Sequence, residues 1–239
     1  MEKRLIARGV LAGAVGAVLA FVFARLFAEP VIGRAIEFEG AHEHGAELFS
    51  RGVQGNAGLG FGVLVFGVAM GALFAVLFCV YYPGSGHVAP QQLSMRLAAA
   101  AFVAVYLVPF LKYPPNPPAV GREETIGART LEYLVMVLAS VGLAIAARWL
   151  ARRLVERFGT FNARLLAAGA YGAAVIAVML ALPSVAEVPP GFPAADLYEF
   201  RLVSLGTQLV LWASLGLVFG ALARRLLREQ TRAQSVVGA

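Results

Sequence analysis

The sequence predicts an all-α, polytopic membrane protein: a bundle of six transmembrane helices paired as three hairpins. Three observations predict it. Hydrophobic residues make up 59% of the 239 residues and charged residues only 14%, with a mean hydropathy of +0.75; soluble domains run at about 45–50% and about 25%. No Asp, Glu, Lys or Arg falls between Arg51 and Arg96, or between Arg201 and Arg224, and a spanning helix needs about 20 apolar residues. Basic residues also gather at the ends of alternate apolar runs, the pattern that orients helices in a membrane.

Composition closes other routes. Cys79 is the single cysteine, which excludes an internal disulfide and any multi-cysteine metal cluster. The pI near 9.9 reads as anchoring to anionic membrane lipid and not as nucleic-acid binding, because the basic residues flank apolar runs.

The first span is Leu5 to Phe27. The start "MEKRLIARGVLAGAVGAVLAFVF" imitates a secretory signal. No A-x-A site follows it and Arg25 interrupts its end, so it reads as a retained helix. The second span is Ala57 to Val80. The third, Leu97 to Leu111, is short and is expected to extend into its polar flank, with Pro90 in the first turn where a missing N–H costs nothing. The fourth and fifth are Leu131 to Ala147 and Leu165 to Leu182. The sixth, Leu202 to Ala223, is followed by a basic tail over 224–239.

With both termini inside, the inner side holds 13 basic residues and three acids, Glu2, Glu156 and Glu229. The outer side then holds 7 basic and 11 acidic residues. Lys and Arg excess marks the cytoplasmic face. The expectation is a bacterial inner-membrane protein with both termini cytoplasmic.

"ARGVLAGAVGA" from Ala7 and "ARLLAAGAYGA" from Ala163 share A-R, then A-G-A-x-G-A, in register. Either the hairpins are repeats, as in many transporters, or two Ala/Gly-rich helices resemble each other by chance. Gly9/Gly13, Gly58/Gly62, Gly67/Gly71 and Gly216/Gly220 have the G-x-x-x-G spacing that lets backbones approach in lipid. They read as packing seams, and a glycine-rich seam is also the expected passage. Gly58-x-Gly60-x-Gly62 is no nucleotide loop, since it lies within an apolar run with no strand before it.

The chemistry concentrates outside. The first outer loop, "EPVIGRAIEFEGAHEHGAELFSRGVQGN", carries Glu29, Glu37, Glu39, His42, Glu43, His44 and Glu47. Imidazole with carboxylate suits Co, Ni or Zn better than Mg or Ca. In a helix Glu39, Glu43 and Glu47 would share a face, with His44 beside Glu47, giving an open site for capture and release. The plainer reading is a solvated acidic loop. His87, with no acidic neighbour, is a bystander. The second outer loop begins "YLVPFLKYPPNPPAVGREE". Pro114 bars Tyr113 from continuing the helix, and the ribbon that follows is a semi-rigid strap whose carbonyls and Asn116 can meet a hydrated cation, or a simple helix stop. The third outer loop adds Glu187, Asp196 and Glu199 among prolines. Together the loops make an acidic mouth that concentrates cations. Inside the spans, Glu132 is the candidate path residue, since an intramembrane charge costs at least ~2.5–3.5 kcal/mol. Met70, Met136 and Met179 read as core packing. No nucleophile elbow, P-loop or zinc-protease helix is present, so no catalytic residues and no tightly bound cofactor are expected.

"FAEPVIGRAIEFE", "HEHGAELFSRGVQ", "PFLKYPPNPPAVG" and "EVPPGFPAADLYEFRLVSLGTQLVLW" resemble the corresponding stretches of the CbtA family of predicted cobalt-transporter subunits, over nearly the whole chain. The resemblance implies cobalt import tied to cobalamin biosynthesis, often beside a one-helix partner, CbtB. Its motif positions here are Glu29, His42, His44, Glu47, Arg51, Gln54, Lys112, Tyr113, Asn116, Glu187, Arg201 and Gln208. The combined expectation is inward transport of divalent metal, Co²⁺ or Ni²⁺. Its ligands are expected among Glu29, Glu39, His42, Glu43, His44, Glu47, Asn116, Glu132 and Glu187. The alternative is a non-transporting scaffold whose acidic loops dock a partner. Oligomerisation is compatible with either.

Overall fold

In the computed structural model, residues 2–40, 58–86, 88–117, 120, 125–185 and 188–237 are described, without side chains at 39–40 and 231–237. Among the described residues the regular structure is helix, and there is no strand. The helices are α1 (Glu2–Phe27), α2 (Glu29–Gly40), α3 (Leu59–Tyr81), α4 (Pro90–Lys112), α5 (Ile126–Ala181) and α6 (Ala194–Val237). All but α2 are long and apolar enough to cross a membrane.

The α5 run of 56 residues hides a reversal. Gly159 sits at φ 74°, ψ 166°, a region open essentially to glycine alone. Ser140 before it meets Tyr171 after it at 2.8 Å between hydroxyls, and Met136 packs with Val175. Both pairs obey one antiparallel register, so α5 is two limbs, 126–158 and 160–181, each of spanning length at 1.5 Å per residue. Six apolar helical segments therefore result. The Arg-rich stretch between limbs stays helical up to Gly159 because Arg, Leu and Ala are good helix formers.

The chain divides into two compact units, Met1–Phe102 with Tyr198–Ala239 and Val103–Leu197. In unit 1, α1 and α3 touch backbone to backbone. A Cβ at Gly67 would stand 2.6 Å from the Ala17 Cβ and 2.8 Å from Gly13 O; one at Gly71 would stand 2.8 Å from the Gly13 Cα. Only hydrogen fits. At this seam the glycines bring two main chains together and leave no room for a side chain between them. On α6, Gly216 packs against Met95 and Ala98, and Gly220 against Gln91 and Ser94. Ser94, fully buried, donates to Gly216 O at 2.7 Å. Phe74 and Phe78 meet Phe219 edge to face at 5.4 and 5.1 Å. At the sequence twins of Gly13 and Gly16, Gly169 and Gly172, an added Cβ would meet nothing within 4 Å, so the shared motif does not carry the same packing.

The hydrogen-bond ladder continues from α1 into α2, with Ala28 N bonded to Ala24 O at 2.7 Å and Ile32 N to Ala28 O at 2.9 Å. Together they outrun a bilayer core of about 30 Å. The helix carries Val31 and Ala35 buried, and Arg34 pairs with Glu199 of α6 at 2.6 Å. At the other end of unit 1, Arg8 donates to Leu222 O at 2.8 Å and faces Glu229 at 3.8 Å, while Arg225 reaches Glu229 at 3.2 Å.

Unit 2 is centred on Val108, Met136 and Val175, with Tyr113, Leu143, Tyr171, Val178, Met179 and Leu182 packed around them. Met136 and Met179 are core residues, as the sequence suggests.

Candidate functional site

The candidate site is built where α4 ends in unit 2. Pro109 has no N–H and its ring crowds the carbonyl four residues back. The helix answers by widening into a π turn over Phe102–Leu107, a common relief and a common functional feature. After Lys112 the chain leaves the helix at Tyr113, φ −125° and ψ 72°, because Pro114 excludes the helical region there.

The proline ribbon is fastened where it begins. Lys112 Nζ donates to Leu182 O and Tyr113 Oη donates to Pro183 O, both at 2.9 Å. Those carbonyls close the second limb of α5, where the last C=O groups lack helical partners and form the negative end of the helix dipole. An ammonium and a phenol satisfy them. Further along, Val120 N bonds Pro117 O at 3.1 Å, and Pro117 and Val120 are buried. Asn116 is half-buried within this ribbon.

Glu132 lies on the first limb of α5, about 9 Å along the axis from Ile126. Its Oε2 is buried and has no hydrogen-bond partner among the described residues. A buried carboxylate oxygen without a donor costs about 1–3 kcal/mol or more, and such an atom in a folded protein asks for a reason, an ion or water included. Removal from water, then the Glu132 carboxylate nearby, push the Tyr113 phenol above its ordinary value. Tyr106 and Tyr133 add two more phenols to this end of the unit.

Glu132, Met136 and Ser140 stand at i, i+4 and i+8, one face of the helix. Met136 and Ser140 are fully buried, and Ser140 meets the Tyr171 hydroxyl. The face therefore runs from a carboxylate through a thioether to a hydroxyl pair. Ser140, Tyr171, Tyr106 and Tyr133 were not singled out from the sequence. The i, i+4, i+8 spacing from Glu132 was the available signal.

Few of the remaining expected ligands fall among the described residues. Glu29 opens α2 in unit 1 and is half-buried, and Glu39 lies about 15 Å further along that helix. His42, Glu43, His44, Glu47 and Glu187, with Arg51, Gln54 and His87, lie outside the described residues. Gln208 is half-buried in α6. Among the described residues no group of three His, Cys, Asp or Glu side chains is assembled. What unit 2 offers is a carboxylate, phenols and carbonyls, hard oxygen ligands with one thioether below.

The family model for CbtA, probable cobalt transporter subunit, matches residues 2–224. No curated protein and no solved structure gives a significant match.

Proposed function

The chain belongs to the CbtA family of probable cobalt transporter subunits, and on that premise we propose that it carries a divalent cation, Co²⁺ first, inward across the bacterial inner membrane. In this reading both termini are cytoplasmic, following the excess of Lys and Arg on that side. The observation that carries it is the buried, partnerless Oε2 of Glu132, a ligand atom without a donor beside the phenol of Tyr113.

Capture begins at the acidic outer loops, with His42, His44 and the carboxylates of Glu29, Glu39, Glu43, Glu47 and Glu187 raising the local cation concentration. Glu132 and Asn116 receive the ion at the foot of the proline ribbon. Bringing a doubly charged ion to a lone carboxylate offsets the desolvation that Glu132 already bears. The membrane potential suffices as a driving force, since inward movement of a +2 ion gains about 4.6 kcal/mol per 100 mV. No catalytic step and no resident cofactor enter this scheme.

A second reading is a scaffold subunit whose outer face docks a partner such as a one-helix CbtB-like chain. The observation favouring it is α2, a helical extension that buries Val31 and Ala35, holds Glu199 through Arg34 and leaves Glu37 exposed. Uptake by proteoliposomes holding only this chain separates the readings. Co²⁺ accumulation under an inside-negative potential is expected for the transporter, with weaker apparent affinity in His42→Ala/His44→Ala. A chain that moves no Co²⁺ or Ni²⁺, alone or with a partner, is the scaffold.

A further inference from the structure

We propose that the turn between the two limbs of α5 is a binding site for anionic phospholipid headgroups. The stretch "RWLARRLVERFGTFNAR", 148–164, holds five arginines and one acid, Glu156. Arg152, Arg153, Arg157 and Arg164 are all exposed. None of the four forms an ion pair among the described residues. The unit 1 arginines Arg8 and Arg225 behave otherwise, since they are engaged by Glu229 and Leu222 O.

What these side chains do touch is aromatic. The Arg153 guanidinium lies over the Trp149 ring at 4.5 Å, and that of Arg157 over Phe158 at 5.3 Å. Trp149 is 57% exposed and Phe161 78%. Aromatic rings beside cations at the end of an apolar helix mark the membrane–water interface. A stacked guanidinium keeps its N–H edge free for a phosphate, which it binds in bidentate fashion.

The hairpin sets the depth. Arg164 lies five residues, about 7.5 Å, beyond the reversal at Gly159, and Arg153 and Arg152 lie six and seven residues, about 9–10.5 Å, before it. The three thus stand within about 3 Å of one another in depth, inside one headgroup layer. The reversal at Gly159 thus returns Arg164 to face the same layer as Arg152, Arg153 and Trp149. Phosphates fixed to a bilayer surface present negative charge at this depth, and polybasic segments are drawn to it. The occupant is therefore a membrane lipid and not a soluble anion.

The test uses the full chain in vesicles whose two leaflets have the same composition, so orientation does not matter. The chain has two tryptophans, and Trp212 is buried in unit 1 at 5% exposure. Trp149→Phe therefore reports the background. Brominated phosphatidylglycerol, at a minor mole fraction in phosphatidylcholine, is expected to quench Trp149 at least about twofold more than brominated phosphatidylcholine at the same fraction. The excess should vanish in Arg152→Gln/Arg153→Gln/Arg164→Gln. It should also vanish for the unaltered chain in 1 M salt, where the Debye length falls to about 3 Å, a control that needs no refolding of a variant. Equal quenching by the two lipids overturns the proposal, as does an excess that survives the triple substitution. Loss of the excess to inorganic phosphate at matched ionic strength would assign the arginines to a soluble anion and also overturn it.

Discussion

The seam between α1 and α3 in unit 1 and the Glu132 face of unit 2 solve opposite problems. In unit 1, Gly13, Gly67 and Gly71 let two main chains meet. The charged side chains nearby are satisfied within the protein, as Arg8 with Glu229 and Arg34 with Glu199 show. In unit 2 a carboxylate oxygen is buried without a donor, one residue from Tyr133 and one turn above Met136. Lipid supplies no hydrophobic drive between helices, so stability must come from close packing. A fold that closes one unit tightly can hold an unsatisfied group in the other. Trp212 Nε1, in unit 1, is also buried without a hydrogen bond, but a neutral donor cannot ligate a cation.

The comparison breaks most readily at the glycines. Gly13→Val places methyl groups against the Gly67 carbonyl and the Gly71 Cα, backbone that cannot swing aside, and overpacking of this kind costs about 1–3 kcal/mol or more. Loss of monodisperse protein and a large fall in Tm are expected. Gly169→Ala, at the twin position of the shared motif, meets nothing within 4 Å and should leave Tm within a degree or two, or raise it, because alanine favours the helix by about 1 kcal/mol. A matching loss at both positions would mean that the twins pack alike.

Glu132→Gln tests the other side. Co²⁺ uptake should fall at least about tenfold, equivalent to about 1.4 kcal/mol in the path, while Tm holds or rises because a buried carboxylate oxygen without a donor is gone. Normal uptake would place the ion elsewhere. Lys112→Gln removes the ammonium from Leu182 O; about 1 kcal/mol of stability should disappear, seen as a lower Tm with less change in uptake than Glu132→Gln. An uptake loss as large as that of Glu132→Gln would mean that Lys112 belongs to the path and not to the fastening.

The smallest effect concerns Tyr113. Its phenol is raised in the fold by burial and by Glu132. The neutral form is thus favoured in the folded state, and its contribution is complete below the ordinary phenol pKa of about 10. It is lost as pH rises through the higher folded value. Tyr113→Phe should flatten the alkaline fall of Tm, and so, more weakly, should Glu132→Gln. An unchanged alkaline slope in Tyr113→Phe would detach that titration from Tyr113.

The sequence made much of the fold legible. Charge-free runs announce spanning helices, and Pro90 at the N-terminal turn of α4 with Pro114 after its end bracket that helix by local sterics. The helical stretch over 148–158 was harder to see, because a run of arginines reads as a loop by polarity while its residues favour helix. The fate of the glycine seam was hidden too: G-x-x-x-G spacing says that backbones approach, not whether space remains between them. Glu132 stood out as a charge within an apolar run. Ser140 and Tyr171 did not, since neutral hydroxyls are unremarkable in a span and their meeting depends on the hairpin register set at Gly159. The missing partner of Oε2 is a property of three-dimensional packing alone.

The most direct test of the central claim, that Glu132 is a stop on the path of a divalent cation, is anomalous diffraction at the cobalt edge from crystals of the whole chain grown with Co²⁺. The account predicts a peak at coordination distance from Glu132 Oε2 that disappears in Glu132→Gln. Cobalt bound only away from that carboxylate, or a peak unchanged by the substitution, would contradict it.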